Sequence, residues 1–349
     1  MAYTNIDDPS AYFQALTYTG NSGTLAVTND GNSDLQPDLL WIKNRTVGYS
    51  HALYDSSRGT GKVLRPNGTN AEGTVANGVT AFGTNGFTVG SAADVNEDNL
   101  VAWQWKANGG TTASNSDGSI TSTVQADTDA GFSIVTWAGT ASTATIGHGL
   151  GVAPKVVIIR ARDKGVPTSW VVFHKDGSTS YDDYFILQTT AAKGTQAGLF
   201  NNQYPSSTVF GVANDFWVNS ASTNYIAYCF AEKQGYSKFG KYVGNGSTNG
   251  VFVYTGFKPA FIMCKRTDGA GNSWDMHDSA RDPSNPSGRT FYANTDGAEL
   301  TGNNVDLLSN GFKQRDTSAN RNGSGNTYIY MAFAENPFTT STGIPTTAR

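Results

Sequence analysis

The side chains best suited to bind a metal ion are three histidines in similar stretches of the sequence. His51, His174 and His277 each follow a proline, at distances of 14, 20 and 18 residues. A threefold site would need one common offset, and neither a cysteine nor a second histidine stands at ligand spacing. We therefore predict no metal site and no cofactor.

Two glutamates at the end of a shared Phe-Ala-Glu tripeptide suggest a carboxylate pair. Glu232 and Glu335 close the two copies, and paired carboxylates are the groups that hydrolyse glycosidic bonds. The corresponding position of an earlier related stretch is Ala107. Because the glutamates follow an apolar strand pattern, a charge re-entering water explains them better. The sequence favours a protein that is not an enzyme.

Asp-Ser-x-Arg occurs twice, from Asp55 to Arg58 and from Asp278 to Arg281. One interpretation is a turn in which the aspartate caps backbone amides and pairs with the arginine. The other is a polar pocket for a sugar hydroxyl. The turn is favoured.

Basic residues also recur, directly after three apolar runs. They are either solvated strand ends or a contact surface, and we predict contacts with neighbouring subunits for this set: Lys43, Arg45, Arg160, Arg162, Lys265 and Arg266.

Aromatic residues are frequent: 7 Trp, 16 Tyr and 18 Phe. Exposed aromatic rings serve both sugar stacking and protein interfaces. Three tryptophans near loops are the predicted ligand-binding residues: Trp170, Trp217 and Trp274.

The elements that carry these residues recur in order. Three apolar runs each begin two residues after a proline and end on a basic residue: Leu39–Lys43, Val156–Arg160 and Phe261–Lys265. Each is followed by a turn that leads to a phenylalanine (Phe87, Phe216, Phe312) and then by an apolar closing strand that ends at Trp105, Phe230 or Phe333. Such order indicates internal duplication and predicts three tandem repeats. Each has about 100 residues, the size of a small antiparallel β-sandwich.

The predicted organisation is a first repeat at 1–107, a polar linker at 108–129, a second repeat at 130–238 and a third repeat at 239–349 with a short polar tail. Charged residues make up 15%, well below the usual quarter, and Gly, Asn, Ser and Thr are abundant. That composition favours short strands and tight turns, hence an all-β fold. Either the repeats are separate sandwiches or they share strands. Tyr236 and Phe239, at the short second joint, are expected to pack at an interface.

Charge and cysteine usage exclude several classes of partner. The formal net charge is −4 and no basic block occurs, so nucleic-acid binding is not expected. No apolar run has the length of a membrane span. Cys229 and Cys264 lie in predicted core strands, which favours buried free thiols in a protein made in a reducing cytoplasm.

Several runs of this sequence carry a resemblance: Ile6–Gln14, Gly131–Trp137, Ile146–Lys155, Tyr225–Glu232, Gly235–Gly240 and the stretch from Leu308–Lys313 to Ala332–Phe338. On these runs, nearly the whole chain resembles repeat modules of virion structural proteins from marine bacteriophages. It implies a β-rich, tail-fibre-like or particle-surface protein, likened to lectin sandwiches, with no catalytic residues to carry over.

Three functions follow as expectations. The first is a tail-fibre or spike adhesin, assembled in the host bacterial cytoplasm and carried on the virion, that binds a host surface glycan or protein. The second is a head-decoration or tail-structural subunit without a ligand, and the third is a glycan-degrading enzyme. The expected partners are other virion proteins and further copies of the chain, with a trimer taken from fibre precedent.

Overall fold

The computed structural model describes residues 3–164, 168–302 and 304–346. The regular secondary structure of these residues is almost entirely β-strand, with one short helix, α1 (Ala93–Asn96), and 3-10 turns at Pro9–Ala11 and Lys175–Gly177. The predicted all-β fold is confirmed.

The strands fall into three consecutive groups, here called the first, second and third units. The first unit contains β1 (Phe13–Thr19), β2 (Leu25–Thr28), β3 (Leu39–Asn44), β4 (Ala52–Asp55), β5 (Lys62–Val63), β6 (Gly73–Thr74), β7 (Val79–Gly83), β8 (Gly86–Val89) and β9 (Asn99–Trp105). The second contains β10 (Ala113–Asn115), β11 (Ser122–Asp127), β12 (Phe132–Ala138), β13 (Ala144–Gly147), β14 (Val156–Ala161), β15 (Val171–His174), β16 (Asp183–Ile186), β17 (Gly194–Thr195), β18 (Val209–Val212) and β19 (Asn224–Phe230). The third contains β20 (Ser237–Val243), β21 (Phe252–Tyr254), β22 (Phe257–Arg266), β23 (Asp275–Asp278), β24 (Phe291–Tyr292), β25 (Val305–Leu308), β26 (Gly311–Gln314) and β27 (Thr327–Pro337).

Each unit has an inner sheet with the same strand order. The orders are β1-β9-β3-β4, β12-β19-β14-β15 and β20-β27-β22-β23, with further strands at the edges of the second and third sheets. The register also agrees, because the first residue of each apolar run pairs with the last aromatic of the closing strand: Leu39 with Trp105, Val156 with Phe230, and Phe261 with Phe333. The three apolar runs thus occupy one topological position.

Side chains alternate between the two faces of each inner sheet. In β9, Trp103 and Trp105 point into a core shared by all three units, whereas Leu100 and Ala102 point into the interior of the first unit. The strand thus divides its side chains between two apolar clusters.

The shared core lies where the three inner sheets meet. Its centre is a triangle of rings, with centroid distances of 6.3 Å for Trp105 to Phe230, 5.5 Å for Trp105 to Phe333 and 5.7 Å for Phe230 to Phe333. Tyr236 and Phe239, from the joint between the second and third units, are buried in the same core. The units therefore keep separate strands but share one apolar core.

A second, outer sheet covers the other face of each inner sheet. The outer sheets are β2-β8-β7, β13-β18 and β21-β26-β25, and a separate apolar cluster fills each unit between its two sheets. Each unit is thus a small β-sandwich.

Two sequence interpretations were wrong in detail. The segment 108–129 is not a linker but contributes β10 and β11 to the second inner sheet: the buried Val124 pairs with Val135 of β12, and Ser122 pairs with Asn115 of β10. In the second outer sheet, the phenylalanine equivalent to Phe87 and Phe312 is Phe210, which pairs with Ile146, whereas Phe216 is exposed.

Candidate functional site

Lys43, Arg160 and Lys265 stand at one position of the three inner sheets, and all three are fully buried. Each reaches a neighbouring unit. Lys43 donates to the Asp296 carbonyl at 3.1 Å, Arg160 to the Thr69 carbonyl at 2.6 Å, and Lys265 to the Thr190 carbonyl at 3.4 Å. The first unit thereby contacts the third, the second contacts the first, and the third contacts the second.

Burial disfavours the charged form of these side chains. It lowers the pKa of Lys43 and of Lys265 to about 8, and the pKa of Arg160 to about 10. The prediction that they contact neighbouring subunits was wrong, because their charged ends are enclosed between units of the same chain.

The other three residues of the predicted contact set are arginines, and they form two kinds of ion pair. Arg45 forms a two-pronged ion pair with Glu299 of the third unit (2.9 and 3.0 Å), and Arg162 forms one with Glu72 of the first unit (2.9 and 3.1 Å). Burial alone would raise the pKa of both glutamates, but the arginine hydrogen bonds outweigh it and lower their pKa. Arg266 pairs instead with Asp268 in its own unit, at 2.7 Å.

Trp170 and Trp274 are buried between units, at the position that His51 holds in the first unit. Trp170 donates its indole N–H to the Arg65 carbonyl at 2.8 Å, and Trp274 donates to the Ile186 carbonyl at 3.1 Å. No ring face is left for a ligand, so their assignment as binding residues was wrong. Trp217 is half-buried against Tyr184 and Phe216.

The two Asp-Ser-x-Arg stretches are turns, as favoured. In each, the aspartate accepts from the arginine backbone N–H (2.9 Å for Arg58, 2.8 Å for Arg281) and pairs with its guanidinium. Each aspartate also joins two units, because Asp55 accepts from the Tyr228 hydroxyl at 2.7 Å and Asp278 from the Trp103 indole at 3.0 Å.

His174 holds the position equivalent to those aspartates in the second unit. Its Nε2 lies 3.1 Å from the Tyr330 carbonyl of the third unit. The closing strand of that unit carries Met331, which has no hydrogen to donate, where the other two closing strands carry Trp103 and Tyr228. His51 and His277 stand at two other positions, so the three histidines do not form one site. Within the described residues no group of His, Cys, Asp or Glu has a metal-binding arrangement.

Glu232 and Glu335 each pair with a lysine of their own neighbourhood. Lys155 lies 2.9 Å from Glu232, and Lys258 pairs with Glu335. Cys229 and Cys264 are free and buried, and burial raises the pKa of each thiol to about 12.

Three buried asparagines escaped the sequence analysis. Asn96, Asn219 and Asn322 each donate to carbonyls of the loop that follows the first inner strand of their unit. Their shared position in the sequence could have revealed them, because each stands three to five residues before a closing strand.

The outer sheets contain an edge position at which the three units carry different side chains. β2, β13 and β21 are equivalent edge strands, since Val27, Ile146 and Val253 each pair with a buried phenylalanine. The residues flanking the central one are Ala26 and Thr28 in the first unit, Thr145 and Gly147 in the second, and Phe252 and Tyr254 in the third.

Phe252 and Tyr254 are 43% and 53% exposed. The Phe252 ring lies over Gly311, where an added Cβ would meet the ring at 3.0 Å, and the Tyr254 hydroxyl is 3.3 Å from that of Tyr3. The rings are thus held in place while their faces stay open to solvent. We call Phe252 and Tyr254 the aromatic edge and take it as the candidate binding site.

Among the described residues, the apolar cavity at the centre is too small to compete as a ligand site. The cavity in the shared core, lined by residues such as Trp41, Tyr228 and Met331, encloses about 20 Å³, close to the space of one water molecule.

A family model described as a domain of unknown function (DUF7483) matches residues 8–337, so the chain belongs to this family. No curated protein and no solved structure matches the chain. Among the residues described, no helix is long and apolar enough to cross a membrane.

Proposed function

We propose that this member of the DUF7483 family is a non-catalytic attachment module on the surface of a bacteriophage virion. The three units provide a rigid support, and the aromatic edge binds a partner on the host surface. The observation that carries the proposal is the open pair of aromatic rings on β21, at a position where the other two units have small residues.

The buried polar side chains are engaged in contacts between units, which supports a binding role for the protein over a catalytic one. The buried cations and both Asp-Ser-x-Arg aspartates are engaged in contacts between units. A reactive group must be reachable by substrate, and these groups are enclosed.

The chemistry of the aromatic edge supports binding. Tyrosine and phenylalanine supply large contact areas with few rotatable bonds, which keeps the entropy cost of binding low. One small edge gives weak affinity, so useful attachment requires several copies on a particle. The resemblance to virion structural proteins agrees with such a multi-copy position.

The proposal is tested by attachment of the purified, labelled protein to host cells, measured by flow cytometry. The double variant Phe252→Ala, Tyr254→Ala should lose attachment. The matched control is Phe216→Ala, because Phe216 is 42% exposed and lies in a different unit. It should attach as the wild type does.

Two further readouts separate the alternatives. Release of oligosaccharides from isolated envelope polysaccharide would contradict the proposal in favour of an enzyme. Failure to attach to cells, combined with tight binding to capsid protein and immunogold labelling of the head, would contradict it in favour of a decoration subunit.

A further inference from the structure

The edge of β13 shows how one unit completes its outer sheet. The segment before β11 runs alongside β13 in parallel, with Ile120 bridged to Ile146. The Ile120 N–H donates to the Thr145 carbonyl at 3.1 Å, and the Ser122 hydroxyl donates to the Gly147 carbonyl at 2.8 Å. The outward carbonyls of this edge are therefore satisfied by a segment of the chain itself.

The same outward groups exist on β21. In the second unit the His148 N–H donates inward to the Thr208 carbonyl at 3.1 Å, and in the third unit the Thr255 N–H donates inward to the Asn310 carbonyl at 3.0 Å. The two strands therefore have the same register. Because the direction of backbone hydrogen bonding alternates from one residue to the next, the N–H and C=O groups of Phe252 and Tyr254 point to the open side. Within the described residues, β26 is the strand that pairs with β21, and none pairs with its other side.

We propose that β21 binds an extended polypeptide segment of the host-surface partner, which adds to the outer sheet as a parallel strand. The occupant is a segment of small hydroxyl-bearing residues around one branched apolar residue, which is the chemistry that covers β13. This inference rests on the proposed function for the location of the site and assigns the class of partner.

Backbone pairing suits this edge better than sugar binding does. An added strand would form hydrogen bonds with the outward N–H and C=O groups of Phe252 and Tyr254. The spacing of these groups along β21 equals the spacing of the partner groups on another strand, and a sugar ring has no such repeat. Its side chains would also lie beside the two aromatic rings, as cross-strand neighbours do. The edge of β2, with Ala26 and Thr28, offers the backbone groups without the rings.

The test uses the full-length protein and a fluorescent peptide with the sequence of residues 116–124, SDGSITSTV. Fluorescence anisotropy should show saturable binding that the Phe252→Ala, Tyr254→Ala variant weakens about tenfold. Methylation of the peptide nitrogen at Ile120 should weaken binding to a similar extent. Methylation at Thr121, whose N–H points to the opposite side of an extended strand, should leave binding unchanged.

Binding that ignores the Ile120 methyl group, that persists in the double variant, or that never saturates would overturn the inference. These outcomes are distinct from failure of the proposed function. If the double variant loses host-cell attachment but the peptide does not bind, the attachment role stands and the partner class is wrong. If the peptide binds as described but cells do not, the partner class stands and the attachment role is wrong.

Discussion

The centre of the molecule and its outer edges use equivalent positions of the three units in different ways. At the centre, the last aromatic of each closing strand contacts the other two: Trp105, Phe230 and Phe333. At the outer edge, Thr28 is exposed and small, Gly147 is covered by the chain, and Tyr254 is exposed and aromatic.

The difference follows from what each position must contact. A central ring touches its two counterparts, so a change in one unit alters the packing of all three. An outer-edge residue lies outside this shared core, so one unit can acquire a binding surface without altering the packing at the centre. The comparison indicates a common support with one specialised edge.

The largest effect is expected at the centre. Phe333→Ala should reduce the free energy of unfolding by about 3–5 kcal/mol, because the ring contacts Phe13, Trp105 and Phe230 in a core with little room to relax. The buried thiols report on two units, so labelling of Cys229 and Cys264 during urea unfolding should shift to lower urea together. A loss below about 1 kcal/mol, or a shift of Cys264 alone, would contradict a shared core.

Acid should weaken the contacts between units before it weakens the outer edge. Burial lowers the pKa of His51 to about 3 and of His174 to about 4, from the ordinary 6.5. Between the lowered pKa of each folded-state histidine and 6.5, the unfolded chain binds more protons than the folded chain. The free energy of unfolding therefore falls as pH drops below about 6.5.

From pH 7 to pH 5, each of these histidines should cost up to about 2 kcal/mol of the free energy of unfolding. Urea midpoints at the two pH values measure the change, and His174→Gln should make the dependence shallower. Equal midpoints at pH 7 and pH 5 in the wild type would show that the histidines are not buried in the neutral form.

A single hydroxyl between two units should have a smaller effect. Tyr228→Phe removes the donor to the buried Asp55 carboxylate and should cost about 1.5–3 kcal/mol. Tyr254→Phe is the control, since its hydroxyl is exposed and lies 3.3 Å from the Tyr3 hydroxyl. Equal urea midpoints for the two variants would contradict the role of the Tyr228 hydroxyl as an inter-unit contact.

The aromatic edge should matter least for stability. The Phe252→Ala, Tyr254→Ala variant should unfold within about 0.5 kcal/mol of the wild type, because both residues are about half exposed and lie outside the apolar cluster of the third unit. Thermal or urea unfolding checks this before any binding result is interpreted. A loss above about 2 kcal/mol would mean that the rings belong to the fold and not to a binding surface.

The order of strands was accessible from the sequence because local signals repeat. The proline before each apolar run, the basic residue after it and the closing strand place equivalent elements in each unit, and the structure gives those elements one position in each inner sheet. Alternation along a strand also places Trp103 and Trp105 on one face.

The position of the site was not accessible, because it depends on how the units pack. Trp170 follows a loop in the sequence and looks exposed, yet the arrangement of the units places a carbonyl of the first unit over its indole N–H. Lys43 likewise looks like a solvated strand end until the loop of the third unit covers it. Phe252 and Tyr254 alternate with the buried Val253, a pattern that resembles any half-buried strand. Only the comparison of three edge strands reveals that their exposure is unusual.

Hydrogen–deuterium exchange on the protein with and without a host-cell envelope fraction would locate the surface that contacts the host. Exchange should slow in the segment that contains β21, residues 250–256, and should not change in residues 24–29, which contain the equivalent strand β2 of the first unit. Unchanged exchange in β21 together with protection elsewhere, such as around Phe216, would contradict the proposal that the aromatic edge binds the host partner.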